Sequence, residues 1–338
     1  MPVRPDGSWR WVDGILHGVY HGCDPWERFL LMMVSSDVLT DMVIMMRAPI
    51  LVVMFVLGSC IGSFCGVIAW RVPRGMTITR PARSFCGSCH HMIRWYDDIP
   101  IISWLFLRGR CRDCHDRIPF FYPFMELVYG AMFLACTWSA YAGVIGGWYL
   151  PALLFAGTMM LTMAVIDQQT HYVYDVMIDA MGLGTVALLA LCALLSGGEW
   201  AALLHAVIGG AVIFGFYLLA ALWFRYVRHI EGVGAGDVGV ALTVGMILGY
   251  YGWGRLIVGF FAIFLIEAIV VLVMIVYGLI TKHGMGMFRV DDNGDDERGG
   301  RLAVAHVPFM FAGMMTGVLL GDSFIWWLLS MYGLTMFY

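Results

Sequence analysis

The sequence predicts an all-α polytopic membrane protein with about eight transmembrane helices and a small cytoplasmic domain between the first and second spans. Three observations support this prediction. The chain is 61% hydrophobic and only 13% charged, whereas a soluble protein of this size needs about twice that charge. Its apolar residues form blocks near the roughly 20 residues that cross a bilayer as a helix. One long hydrophilic loop interrupts these blocks.

Eight blocks come close to spanning length. They are predicted at residues 48–70, 122–142, 151–166, 173–195, 200–223, 238–252, 254–280 and 304–334. Gly209 and Gly210 in the fifth block would let two helices approach closely in lipid. Residues 1–47 mix tryptophans and acidic residues with a short apolar stretch. They are predicted to be an N-terminal extension, periplasmic or interfacial, and a disordered lead-in fits the same residues equally well.

Basic residues determine the predicted orientation. The loop between the first two blocks, residues 71–121, contains nine arginines, and further basic residues follow the fifth and seventh blocks. Apart from the N-terminal extension, the opposite loops carry only Arg255. Because loops rich in Lys and Arg remain in the cytoplasm, the loop 71–121 is predicted to be cytoplasmic. The net charge of −4 gives no indication of a nucleic acid partner.

The same loop contains two Cys-x-x-Cys pairs, which residues 90–110 separate. The four residues are Cys86, Cys89, Cys111 and Cys114. Two pairs at this separation can place four thiolates tetrahedrally around zinc. Disulfides are not maintained in the cytoplasm, so a metal ion is favoured over cross-links. Four cysteines complete the ligand shell, which predicts a structural zinc; the alternative is a set of unrelated buried thiols.

Two aspartates lie at the predicted cytoplasmic surface of the membrane. Asp167 follows the third block directly, and Asp237 ends the tetrad that begins at Gly234 and continues through Gly236. Two adjacent carboxylates can share one proton, so that one acts as base on water and the other as acid. Both glycines would let a substrate backbone approach. The residue types leave two alternatives: Asp237 as a helix N-cap and Asp167 as a mere helix end.

At these positions the sequence resembles the type IV prepilin peptidase family over most of residues 58–320. The motifs that carry the resemblance are Gly62-Ser63-Phe64, Arg71-Val72-Pro73, the run from Ile93 to Pro100, Leu107-Arg108-Gly109-Arg110-Cys111, Tyr122-Pro123 with Glu126, Ile166-Asp167 with Asp175, and Gly234-Ala235-Gly236-Asp237. The chain departs from the family at Gly239, where Lys is usual, and at Tyr174, where Pro is common. These departures leave the substrate preference and the local electrostatics open.

The resemblance implies an enzyme of the bacterial inner (cytoplasmic) membrane, an aspartyl endopeptidase. It would cut the leader peptide of type IV prepilins or type II secretion pseudopilins at the cytoplasmic face, and the substrate would keep its apolar N-terminal helix in the bilayer. Asp167 and Asp237 would be the catalytic pair of a peptidase domain at 122–338. Glu126 would support the loop or the substrate. Many members also methylate the new N-terminus with S-adenosylmethionine, for which no binding motif is visible.

Two other functions remain open from the residues alone. A membrane carrier or channel with a zinc-binding regulatory loop would need polar residues along a path through several spans. Beyond Glu267, Asp179 and His205 the spans offer few such residues. Glu267 in the seventh block is expected either to contact substrate or to be neutral and hydrogen-bonded to a neighbouring helix. A non-catalytic pilus assembly factor is the third possibility.

Overall fold

The computed structural model describes residues 25–80, 83–229, 232–281 and 304–331, and the regular elements in these ranges are all helical. The helices are α1 Pro25–Arg71, α2 Ile102–Phe106, α3 Phe121–Tyr141, α4 Leu150–Thr170, α5 Asp175–Leu195, α6 Trp200–Trp223, α7 Ala235–Gly249, α8 Trp253–Thr281 and α9 Val307–Met331. The predicted all-α membrane fold is therefore confirmed. The chain forms two compact units, Met1–Val53 and Met54–Tyr338, and the contacts discussed below lie within the second.

Six helical segments of the described ranges are long and apolar enough to cross a membrane. They are Arg47–Arg74, Gly147–Thr170, Asp175–Leu195, Trp200–Arg228, Trp253–Gly278 and Val307–Leu328. The two other predicted spans, α3 and α7, are helices but do not meet this criterion of length and hydropathy. α3 has sufficient length and is less apolar, whereas α7 has only 15 residues. At 1.5 Å per residue α7 measures about 22 Å, which is less than the roughly 30 Å of a bilayer core.

The first helix begins earlier than its predicted span. α1 starts at Pro25, a residue suited to the first helical position, and continues through the segment that was expected to precede the membrane. The Leu- and Met-rich sequence that follows Phe29 favours a helix, which explains the extension. The apolar part still begins at Arg47, close to the predicted residue 48. The expectation for residues 1–24 lies outside the described ranges.

The two helices that carry the aspartates lie inside the bundle. In α4, 67% of the most apolar window is buried against protein, compared with at most 33% in the other candidate spans. In α7, ten of the 15 residues are buried. A helix surrounded by protein can be short because its ends contact other helices rather than lipid. The bundle therefore holds both aspartates on enclosed elements.

Glycines allow α6 and α7 to approach backbone to backbone, as predicted for Gly209 and Gly210. A Cβ atom on Gly209 would lie 2.7 Å from the carbonyl oxygen of Gly245 in α7, and one on Gly210 would lie 2.7 Å from the Met246 side chain. Such distances leave no room for a side chain. This close packing fixes the depth and rotation of α7, and with them the position of Asp237.

Arg255 connects three segments at the end of the bundle opposite the four-cysteine loop. Its guanidinium, only 4% exposed, donates to a carboxylate oxygen of Asp322 in α9 at 2.9 Å and to the carbonyl oxygen of Val318 at 3.2 Å. It also donates to the carbonyl oxygen of Val144 and lies 4.2 Å from the ring centroid of Tyr251. The single basic residue of the predicted outer loops is thus a structural cross-link.

We expect Arg255→Ala to lower the free energy of unfolding by about 2–4 kcal/mol, because two carbonyl groups and one carboxylate lose a charged donor. Thermal unfolding of the protein in detergent would measure the effect as a lower midpoint temperature. Arg228→Ala, at an exposed position, is the control and should unfold like the wild type. Equal midpoints for Arg255→Ala and the wild type would contradict this role.

Candidate active site and metal centre

Asp167 lies one turn inside α4 and does not mark its end. The helix continues to Thr170, and His171, in the left-handed conformation with φ 51°, donates its backbone N–H to the Asp167 carbonyl oxygen at 2.8 Å. The side chain is buried, at 6% exposure. Its Oδ2 accepts the backbone N–H of Val307 at 3.1 Å. Because Val307 is the first residue of α9, the carboxylate lies at the positive end of a helix dipole.

Asp237 is the third residue of α7, and Gly234 is the N-cap. The alternative of Asp237 as N-cap is therefore wrong. A Cβ atom on Gly234 would lie 3.1 Å from the Asp237 Oδ2, so a side chain there would crowd the carboxylate. A Cβ on Gly236 would lie 2.9 Å from the Val173 side chain. Gly236 therefore permits close packing of α7 on the segment after α4, rather than the access for substrate that the sequence suggested.

The fold brings these two aspartates into one site. Asp167, His306 and Glu267 all lie within electrostatic range of the Asp237 carboxylate. His171 and His306 lie within the same range of Asp167. Two carboxylates in a largely enclosed site, with imidazoles beside them, form an arrangement that can share a proton and activate water.

Two residues of this site, His306 and Tyr217, were not predicted from the sequence. The His306 side chain contacts Glu267 of α8 through Nδ1, at 3.1 Å, and the Tyr217 hydroxyl of α6 through Nε2, at 2.8 Å. Glu267 thus has a polar partner on another segment of the bundle, which fits the hydrogen-bonding part of one of its two expected roles. His306 stands directly before Val307, and no motif in the sequence marked it. Its partners are far away in the chain, so no local spacing could reveal them.

The positions where the chain departs from the family have packing explanations. A Cβ atom on Gly239 would lie 2.7 Å from Cγ2 of Ile178 in α5, so this turn of α7 is tightly packed. Tyr174 is the N-cap residue of α5, and its ring meets that of Tyr172 edge-on with centroids 5.1 Å apart. Gly239 thus lies at the contact between α7 and α5, and Tyr174 lies at the start of α5.

The four cysteines form a compact cluster whose ligand atoms all lie within 4.8 Å of one another. The Cys86 and Cys114 sulfurs are 3.7 Å apart, too far for a disulfide. Sulfurs around a tetrahedral zinc are separated by about 3.8 Å, since each Zn–S bond is about 2.3 Å. The four residues can therefore hold a metal ion, and the spacing of their sulfurs fits zinc.

The two Cys-x-x-Cys turns repeat one backbone structure. His90 donates its N–H to the Cys86 carbonyl oxygen, and His115 donates to that of Cys111, each at 3.0 Å. Both histidines adopt the left-handed conformation, with φ 56° and 58°. In the first turn, the backbone amides of Cys89 and Ser88 lower the pKa of the Cys86 thiol to about 7. The Asp116 backbone lowers the pKa of Cys114, but burial and the neighbouring thiols outweigh it and raise that pKa.

Glu126 belongs to the attachment of the four-cysteine loop rather than to the aspartate site. Its Oε2 accepts the backbone N–H of Ile101 at 2.6 Å, at the start of α2, and Ser63 of α1 lies within hydrogen-bonding reach. Within the loop, Arg112 donates to Asp97 at 2.9 Å and holds the pKa of that carboxyl below its ordinary value. These contacts fix the loop to the ends of α1 and α3.

A cleft of about 430 Å³ lies between the loop and the adjacent ends of α1 and α3. Its lining includes the rings of Trp70, Trp104 and Tyr122 and the carboxylates of Asp98 and Glu126. Asp98 and Glu126 lie within electrostatic range of each other. In the described part of the chain, neither carboxylate forms an ion pair. Four arginines also line it, of which Arg112 pairs with Asp97 and Arg94 with Asp113. The cleft has the size of a small-molecule site, and Asp98 and Glu126 supply it with carboxylates.

Comparisons with known proteins agree with these features. Residues 56–140, which include the four cysteines and Glu126, match the family model of the bacterial peptidase A24 N-terminal domain. Proteins named prepilin leader peptidase/N-methyltransferase from Klebsiella pneumoniae and Bacillus subtilis are 33% and 29% identical to this chain. The matches cover 58% and 81% of the chain and 84% and 95% of the two relatives.

A protein of the same name from Myxococcus xanthus is 35% identical over 201 residues. That match covers 58% of this chain and 56% of the relative's own length. No solved structure matches the chain.

Proposed function

The chain belongs to the prepilin leader peptidase/N-methyltransferase family, and on that premise we propose that it is a membrane aspartyl endopeptidase of prepilins or type II secretion pseudopilins. The family and the six apolar helices fit a multi-pass protein of the bacterial inner membrane. Cleavage would take place at the cytoplasmic face, as the arginine distribution indicates, and would follow a glycine of the leader. The observation that carries the proposal is the convergence of Asp167 and Asp237 on two enclosed helices.

Hydrolysis needs a base for water and an acid for the leaving amine. With one shared proton, one carboxylate of the pair accepts a proton from water while the other donates to the peptide group. The Val307 N–H bond to Asp167 Oδ2 holds that carboxylate in a fixed orientation. No residue here needs to form a covalent intermediate. The rival carrier or channel receives no support, since Glu267 contacts His306 beside the aspartate pair, and Asp179 is exposed on α5.

Zinc is the metal that the four-cysteine cluster fits, and a closed shell of four thiolates makes its role structural. In the proposed protein, Cys86, Cys89, Cys111 and Cys114 would hold it. The loop has few aliphatic residues and only short helical turns. A loop of this kind needs such a cross-link to fold.

Methylation of the newly formed N-terminus is the second proposed activity, with S-adenosylmethionine as donor. We assign the donor to the cleft beside the four-cysteine cluster. This donor carries a sulfonium and an ammonium group, which suit the carboxylates of Asp98 and Glu126 and the faces of aromatic rings. Its adenine can pack on the same rings. The supporting observation is the cleft's own lining.

We expect Asp98→Asn and Glu126→Gln each to weaken binding of S-adenosylmethionine roughly tenfold or more, because a charge-assisted contact contributes about 1.5–3 kcal/mol. Isothermal titration calorimetry of the purified protein measures this directly. Peptidase activity should persist in both variants, since the cleft and the aspartate pair are separate. Glu199→Gln, at an exposed position, is the control. Unchanged affinity in both cleft variants would refute the assignment.

A further inference from the structure

Two helices and the residue that precedes α9 contribute to a chain of polar contacts beside the aspartate pair. Tyr217 of α6 contacts Nε2 of His306, and Nδ1 of His306 contacts Glu267 of α8. The three side chains are largely enclosed: His306 is 15% and Glu267 25% exposed, and Tyr217 is 3% exposed. The ring of Phe264 packs near the imidazole, with centroids 6.2 Å apart. The proposed peptide hydrolysis assigns these groups no role.

The chain of contacts connects directly to Asp167 through the backbone. His306 immediately precedes Val307, whose N–H is the hydrogen-bond donor to the Asp167 carboxylate. An imidazole held on both sides fixes the backbone at this point. Because His306 and Val307 are adjacent, contacts that hold the His306 side chain also restrict the backbone from which Val307 donates.

The charges around His306 favour its protonated form. Glu267 faces it from α8, Asp237 from α7 and Asp167 from α4, while Tyr217 of α6 is neutral. Burial lowers the pKa of His306, but the hydrogen bond and charge of Glu267 and the charges of Asp237 and Asp167 outweigh it and raise that pKa above its ordinary value. The imidazole thus contacts one carboxylate, that of Glu267, and lies within electrostatic range of the two proposed catalytic ones. His306 lies within electrostatic range of both aspartates.

We propose that His306, held by Glu267 and Tyr217, is a positioning residue of the peptidase site: its imidazolium stabilises the ionised member of the aspartate pair, and its backbone aligns the Val307 donor. This inference rests on the proposed peptidase function. Glu267, costly in the middle of a membrane helix, then has the task of keeping His306 charged. Tyr217 sets the orientation of the ring.

The test is the pH dependence of prepilin cleavage by purified variants. His306→Gln keeps a hydrogen-bonding side chain and removes the charge. We expect kcat to fall roughly tenfold to a hundredfold with KM within about twofold, and the acid limb of the pH–rate profile to move to higher pH. Glu267→Gln should reduce the rate mainly at the alkaline end, because His306 then loses its proton at lower pH. Tyr217→Phe should lower kcat only slightly.

The double variant Glu267→Gln/His306→Gln should lose no more activity than His306→Gln alone, since the two residues act as one unit. Glu199→Gln should behave like the wild type. Thermal unfolding of each variant identifies those that fail to fold, and Glu267→Gln and Tyr217→Phe keep the test open if His306→Gln is one of them. A uniform loss of rate without any change in the pH profile would indicate a purely structural role and overturn the inference.

Two further outcomes are distinguishable. Wild-type cleavage together with an unchanged kcat and pH profile in His306→Gln would overturn this inference alone. A folded wild type that cleaves no prepilin at any pH would overturn the proposed peptidase function, and this inference with it.

Discussion

Asp167→Asn and Asp237→Asn are each expected to lower prepilin cleavage by roughly 10²- to 10⁴-fold, the range that positioned acid–base groups contribute. An amide can neither take a proton from water nor share one with the second carboxylate. Asn still fills the same volume, and its oxygen can accept the Val307 N–H that Asp167 accepts. The fold should therefore persist. Gel analysis of a purified prepilin after incubation measures the loss.

Asp179→Asn is the matched control for both variants, because Asp179 is an exposed carboxylate on α5. It should cleave at the wild-type rate. The double variant Asp167→Asn/Asp237→Asn should be no less active than either single variant, since residues that act as a unit are not additive. Full cleavage by either single variant would remove the aspartyl mechanism.

The second large effect concerns the metal. Cys86→Ser combined with Cys111→Ser removes one ligand from each turn, and two cysteines cannot retain a structural zinc. We expect the wild type, purified without chelator, to contain about one zinc per chain and the double variant to contain essentially none. Elemental analysis by mass spectrometry measures this. Limited proteolysis should also cut the loop 71–121 much faster in the variant, because the loop loses its cross-link.

Cys60→Ser is the control for the metal experiment. Cys60 is an exposed free thiol on α1 and lies outside the four-cysteine cluster, so its replacement should leave the zinc content unchanged. Wild-type protein without any bound metal would show that the cluster is not a zinc site.

The four-cysteine cluster was predictable because its information is local. Two ligands lie three residues apart in each turn, and a turn of that length adopts one backbone structure, which the structure shows twice. The glycines of α6 were predictable for the same reason, since small residues in an apolar helix indicate close packing. Helix types and most boundaries follow from the length and composition of apolar blocks.

The environment of the aspartates was less accessible from the sequence. In the sequence, an aspartate that follows an apolar block can lie at the membrane surface or inside the bundle. In the structure α4 continues to Thr170, and Asp167 is buried. Gly236 suggested access for substrate, whereas Val173 occupies the space that its side chain would need. His306 carries no local signal, because Glu267 and Tyr217 reach it from distant segments. Burial, too, explains why the short α7 is tolerated within the bundle.

Intact-mass analysis of a purified prepilin, incubated with the wild-type protein in detergent, tests the central claim most directly. The account predicts a product that lacks the leader peptide and gains one methyl group only when S-adenosylmethionine is present. The same incubation with Asp167→Asn or Asp237→Asn should leave the mass of the prepilin unchanged. An unchanged prepilin after incubation with folded, zinc-containing wild-type protein would contradict the account.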